Sequence, residues 1–168
     1  PFKVLDDEKM DTLVDSIRKN GILNPVIVRP DQSGNYEMIS GHRRLHAARI
    51  VGLKKIPAIV KEMSDDEAII KMVDANIQRE EILPSEKAFA YKMKLDALKR
   101  TAGRPTKENA CHNGTHLRSD QELALQVGDS ARSIQRYVRL TELVPELLDY
   151  VDNKKIGLVM AVDLSYLD

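Results

Sequence analysis

The chain has 168 residues, enough for one sizeable domain or two small ones, and its 26 Lys and Arg balance 26 Asp and Glu to a formal net charge of zero. Hydrophobic residues at 42% and charged residues at 31% describe a water-soluble globular chain and exclude a disordered tail; no apolar run approaches the ~20 residues of a membrane helix. A single cysteine excludes an internal disulfide framework, and Pro1-Phe2-Lys3 opens no secretory leader, so a reducing cytoplasm is the expected setting.

In chain order, Met10, Leu13, Val14 and Ile17 repeat at the spacing of one helix face, and Asn20-Gly21 ends that helix. Pro25-Val26-Ile27-Val28-Arg29 is short and β-branched and predicts a strand; Asp31 to Asn35 turns the chain into a second strand, Tyr36 to Ser40. Gly41 opens a helix to about Val51, Gly52 closes it, and Ile56 to Val60 gives a third strand. Ser64-Asp65-Asp66-Glu67 is a capping box heading a helix that buries Ala68, Ile69, Met72 and Val73. Pro84 suits the first turn of the next helix, with Ala88, Tyr91, Leu95 and Leu98 as its apolar line. Thr101 to Arg118 holds Gly103, Pro105 and Gly114 without periodicity and predicts a linker. Ser119-Asp120-Gln121-Glu122 is a second capping box, and everything beyond it is helical. The expected organisation is an α/β domain with trailing helices over 1–100, a linker over 101–118 and an all-α domain over 119–168.

Zero net charge spread evenly would argue against a nucleic-acid binder, but the charge is not even. Gly41 to Lys55 holds Arg43, Arg44, Arg49, Lys54 and Lys55 with no acid, and Ser130 to Leu140 holds Arg132, Arg136 and Arg139 with none. In the second stretch, Ala124, Gly128 and Ile134 have the spacing of a helix-turn-helix: close helix approach, a left-handed turn and a locking aliphatic. Ser130 would cap the second helix, from which Arg132, Ser133, Gln135 and Arg136 project. Arg pairs with guanine and Gln with adenine, while Ser and Arg139 suit phosphates, so this helix is expected to read double-stranded DNA.

The first stretch, Gly41-His42-Arg43-Arg44-Leu45-His46-Ala47-Ala48, falls at a strand-to-helix junction. Backbone N–H groups, a helix dipole and paired guanidinium forks suit a phosphate there. A surface helix whose arginines pair with nearby acids fits the same residues, and both readings stay open. Gly21-Ile22-Leu23-Asn24-Pro25 is a second loop able to present N–H groups. His42 and His46 lack the Glu of a zincin motif, and Cys111, His112 and His116 fall short of a four-ligand metal site. No residue is nominated as catalytic.

Three ordered blocks resemble the ParB family of bacterial chromosome and plasmid partition proteins, nucleoid-occlusion relatives included: Ser16 to Arg29; Gly41 to Ala48, continuing through Gly52-Leu53 to Ile56-Pro57-Ala58; and Ala75 to Ala88. The resemblance implies a ParB/sulfiredoxin-like α/β domain that binds CTP with Mg2+ and closes against a second copy as a DNA clamp on a centromere-like site. By resemblance, the nucleotide positions are Gly21, Pro25, Gly41, His42, Arg43, Arg44, Ala47, Asn76 and Arg79, with Asn76 also at the metal. It further implies a homodimer, a partition ATPase partner, a place on the nucleoid or a plasmid, and a C-terminal dimerisation domain that the expected organisation does not include. Two positions depart from the pattern: His42 stands where the family has Glu, and Ala75 where it has a metal-binding acid, which makes any CTPase activity slow. A plain helix-turn-helix repressor or adaptor with a vestigial nucleotide site is the alternative. A sulfiredoxin-like enzyme lacks its cysteine near Gly41, since Cys111 is the only one, and a nuclease-like enzyme lacks a carboxylate cluster.

Overall fold

A computed structural model of the protein describes Phe2, Val4, residues 6–77, 82–102 and 119–167. Two compact units divide the chain between Met72 and Val73. The first begins with α1 (Glu8–Asn20), started by the Asp7 side chain, which accepts from Met10 N at 2.7 Å, and stopped at Gly21. Then come β1 (Val26–Pro30), β2 (Tyr36–Ser40), α2 (His42–Val51) and β3 (Ala58–Val60). The sheet order is β2-β1-β3, with β1 antiparallel to β2 and parallel to β3. Val26, Val28 and Ile39 are its buried side chains, whereas β3 is exposed at all three positions. The helical side of this core sets Met10, Val14 and Ile17 of α1 against Ala47 of α2. A side chain larger than alanine at 47 would push these two helices apart.

The helix α3 (Asp65–Ile77) opens with the expected capping box: Ser64 N donates to Glu67 Oε2 at 2.8 Å, and Glu67 N donates to Ser64 Oγ at 3.3 Å. The second unit is otherwise all helical: α4 (Pro84–Ala102), α5 (Ser119–Val127), α6 (Ala131–Leu140), α7 (Pro145–Asp152) and α8 (Leu158–Leu164). Its spine is α4. Tyr91 and Leu95 pack with Leu123, Ala124 and Ile134, while Ala88 packs with Leu140, Leu143, Leu148, Val151 and Ala161. Ser85 fastens the start of α4 to α7: its backbone N donates to Asp152 Oδ1 at 2.9 Å and its hydroxyl to Oδ2 at 2.5 Å.

The sequence places α4 as a trailing helix of the α/β domain; its packing places it with the helices after residue 118. Periodicity marks which face of a helix is buried, not what buries it. Smaller differences lie at element ends. β1 runs from Val26 rather than Pro25, β3 starts at Ala58 rather than Ile56, and Ser119 is already helical rather than a cap.

Candidate anion site and nucleic-acid interface

At the β2–α2 junction, Gly41 takes a left-handed conformation (φ 111°) directly before the first helical residue. A Cβ built on it would lie 2.6 Å from Val26 Cγ1 and 2.9 Å from Val26 Cβ. The glycine is therefore required by its approach to the central strand, independently of any ligand. Arg44 reaches back across this junction and donates through one Nη1 to the carbonyls of Asn24 at 2.5 Å and Pro25 at 2.7 Å. With Gly21, Asn24, Leu13, Ser16 and Ile17 it lines a cavity of about 150 Å3. That is half the lower end of the roughly 300–1,000 Å3 typical of small-molecule sites, so the cavity is smaller than a complete site of that kind.

Arg43 and His46 meet acids of the segment before α1. Arg43 Nη2 donates to Asp7 Oδ1 at 3.0 Å, and His46 Nε2 lies 2.7 Å from Asp6 Oδ1. Partial burial would raise the Asp7 pKa, yet the Met10 N–H and the Arg43 guanidinium together hold it below the ordinary carboxylate value. Both open readings of this block thus have a share: Arg43 is paired with a nearby acid, on a helix whose first turn carries no acid of its own. Ala47 lies beneath, in the α1–α2 core, and is a packing residue here. His42 is exposed at the head of α2.

The third block falls in the other unit. Asn76 is on the last turn of α3, and Arg79 lies outside the described residues. Ala75 is exposed, and the neighbouring carboxylate of Asp74 is taken by the ammonium of Lys94, which is 1% exposed and also donates to Gln126 Oε1 at 2.6 Å. Among the described residues no three His, Cys, Asp or Glu side chains gather. This donor set does not fit a magnesium ion held by the protein, because one amide stands where carboxylates normally supply the charge. Cys111, His112 and His116 lie outside the described residues.

The helix-turn-helix forms from α5 and α6. Gly128 turns the chain at φ 75°, and Ser130 caps α6 by accepting from Ser133 N at 3.1 Å, as its sequence predicts. The sequence did not flag Asp129 between them. Tyr91 donates to its carboxylate at 2.5 Å and Lys87 pairs with it at 2.8 Å, so both residues of α4 grip the turn. Lys87 also lies over the Tyr137 ring at 4.8 Å, and Tyr137 meets Tyr91 edge to face. Partial burial pushes the Asp129 pKa up, but the hydrogen bonds and charge from Lys87 and Tyr91 outweigh it and leave the group below its ordinary value. Burial and the Asp129 carboxylate push the Tyr91 phenol far up, so it stays a donor.

Not every side chain assigned to DNA faces outward unengaged. Gln135 Nε2 donates to Asp120 Oδ2 at 2.6 Å, locking α6 to α5. Arg139 donates to the Ser165 hydroxyl at 3.0 Å and carbonyl at 2.5 Å and lies 4.0 Å over the Tyr166 ring, tying α6 to the end of α8. Their partners are 15 and 26 residues away, beyond any helical wheel. Arg132 is exposed and Arg136 half-buried, one turn apart, and neither makes a hydrogen bond or ion pair with any described residue. Ser133 contributes its backbone N–H to the cap beside them.

Fold and sites together define a two-unit protein in which a small α/β domain with a basic strand-to-helix junction precedes a helix-turn-helix domain. Residues 1–77 match the ParB N-terminal domain. The chromosome-partitioning protein Spo0J of Thermus thermophilus is 33% identical over 156 residues, 93% of this chain and 51% of its own length. The nucleoid occlusion protein of Listeria innocua is 34% identical over 157 residues, 94% of this chain and 49% of its own. The C-terminally truncated chromosome-partitioning protein ParB of Caulobacter crescentus, complexed to the centromeric parS site, shares the fold: TM-score 0.60 at 23% identity, covering 100% of this chain and 78% of that one. Residues 1–77 are thus a ParB N-terminal domain, and the chain spans about half the length of the curated relatives it matches. Among the described residues, no helix is long and apolar enough to cross a membrane.

Proposed function

We propose that this chain is the DNA-reading and nucleotide-binding part of a chromosome- or plasmid-partition protein. The helix α6 reads a duplex site, and the α/β unit takes CTP through Gly21, Pro25, Gly41, His42, Arg43 and Arg44, with Asn76 and Arg79 from the third block. Nucleotide binding closes two copies as a clamp on DNA at the nucleoid or a plasmid, where a partition ATPase engages them. The observation that carries this reading is Arg132 and Arg136, presented on a capped recognition helix without a hydrogen-bond or ion-pair partner among the described residues, while Arg29, Arg43, Arg44 and Arg139 are each engaged. Selection from a randomised duplex pool should return a defined site. Arg132→Ala and Arg136→Ala should each weaken binding to it about 10-fold, at ~1–1.5 kcal/mol per lost charged contact. Retention of no preferred sequence, or equal binding by both variants, would sink the reading.

One observation favours a second reading, a repressor or adaptor whose nucleotide site is vestigial: alanine at 75 and the Lys94 grip on Asp74 leave no carboxylate at the position before Asn76 where the family pattern has its metal-binding acid. In the leading reading the chain binds CTP with Mg2+, the metal arriving on the phosphates, and turns it over slowly. Ala75 is exposed and has room for a longer side chain, so Ala75→Glu should raise CTP hydrolysis at least several-fold, measured as released phosphate. Site-specific DNA binding by wild type and Ala75→Glu alike, indifferent to every nucleotide, would select the second reading.

A further inference from the structure

The acids just before α1 already hold Arg43 and His46 of α2. Asp7 Oδ1 takes Arg43 at 3.0 Å while accepting from Met10 N at 2.7 Å, and Asp6 Oδ1 lies 2.7 Å from His46 Nε2. Both pairs are reachable by solvent: the side chains of Arg43 and Asp7 are 28% and 32% exposed, those of His46 and Asp6 37% and 74%. The two carboxylates therefore stand where a phosphate of the proposed ligand would bring its own negative charge, against the same guanidinium. We propose that Asp6 and Asp7 are an internal counter-anion of the α2 site, competing with the phosphates of a bound nucleotide for Arg43 and His46. This inference rests on the nucleotide reading above and adds its regulation.

Two consequences follow from the geometry. Affinity for a polyphosphate is set below that of the bare basic helix, because like charge within a few ångströms opposes binding. Release is also coupled to α1, since the Asp7 oxygen that lets go of Arg43 is the one that caps the helix through Met10 N. An anion on α2 therefore loosens the first turn of α1 and the segment leading into it.

The test is calorimetric titration of CTP with magnesium, and separately of inorganic tripolyphosphate, into the whole chain carrying Asp7→Asn, Asp6→Asn or both. Asparagine caps a helix about as well as aspartate, so the fold keeps its α1 start while the charge is lost. Each single variant should bind either ligand about 3- to 10-fold more tightly, and the double variant more tightly still. Asp11→Asn controls for net charge: Asp11 is in the same first turn, exposed and without an ion pair to α2 among the described residues, and should change affinity less than 2-fold. Equal or weaker binding by Asp7→Asn, or an equal gain from Asp11→Asn, overturns the inference while the nucleotide reading stands. Tighter tripolyphosphate binding with no CTP preference supports the counter-anion and overturns CTP as the ligand. No binding of either ligand by any variant overturns both.

Discussion

Gly41→Ala should cost about 2–4 kcal/mol of folding stability in urea denaturation, more than any other glycine-to-alanine change in the α/β unit. Two penalties combine. A Cβ at φ 111° is in a region that L-residues avoid at roughly 1–2 kcal/mol, and the new methyl would stand 2.6 Å from Val26 Cγ1 and 3.3 Å from Val26 Cα. Val26 has no exposed surface and sits in β1, hydrogen-bonded to β3 and beside β2, so it cannot retreat; forced overpacking adds about 1–3 kcal/mol. Gly34→Ala is the control. It shares a positive φ of 80°, but its Cβ would meet nothing within 4 Å, so about 1 kcal/mol is expected. Equal losses at both positions would show that the approach to Val26 carries no energy.

Gly41 also shows what sequence can and cannot deliver. Its place before a helix rich in arginine read as a backbone opening for an anion; the packing demand from Val26 was invisible, because strand register is not written in local pattern. Where the determinants are local, expectation and structure agree: the Ser64–Glu67 box, the Gly128 turn, the Ser130 cap and the second strand at Tyr36–Ser40. Where a side chain's partner lies far along the chain, they part. Gln135 and Arg139 were assigned to DNA because a helical wheel places them away from Ile134, yet Asp120 and Ser165 engage both. Asp6 and Asp7 drew no notice in the sequence, and only the fold sets them against Arg43 and His46. Asn76, which resemblance alone grouped with the glycine and arginine motifs as a nucleotide position, falls in the helical unit. One long-range contact did leave a trace. Lys94 falls three residues after Tyr91 and four before Leu98, on the apolar line of its helix, a position where a lysine must find a buried partner.

That lysine gives the second large effect: Asp74→Ala should destabilise the helical unit by about 2–4 kcal/mol, while Lys94→Met should cost about 1 kcal/mol or less. The asymmetry comes from which partner is buried. The Lys94 side chain is 1% exposed and that of Asp74 51%. Deleting the carboxylate strands a charge in the interior with the Gln126 amide oxygen as its one remaining hydrogen-bond partner among the described residues, and an uncompensated buried charge typically costs 3–5 kcal/mol, reduced here because Asp74 itself is half in solvent. Deleting the ammonium strands nothing, since Asp74 and Gln126 can both hydrate, and methionine refills the volume along α4. The double variant Asp74→Ala/Lys94→Met should then sit close to Lys94→Met alone, with a coupling of about 2–4 kcal/mol in a double-mutant cycle read by urea denaturation. Additive losses would mean that the pair is a surface ornament. Recovery in the double variant would establish that Lys94 fastens the last turn of α3 to α4 and α5, and so to the helix-turn-helix, through charge rather than through bulk.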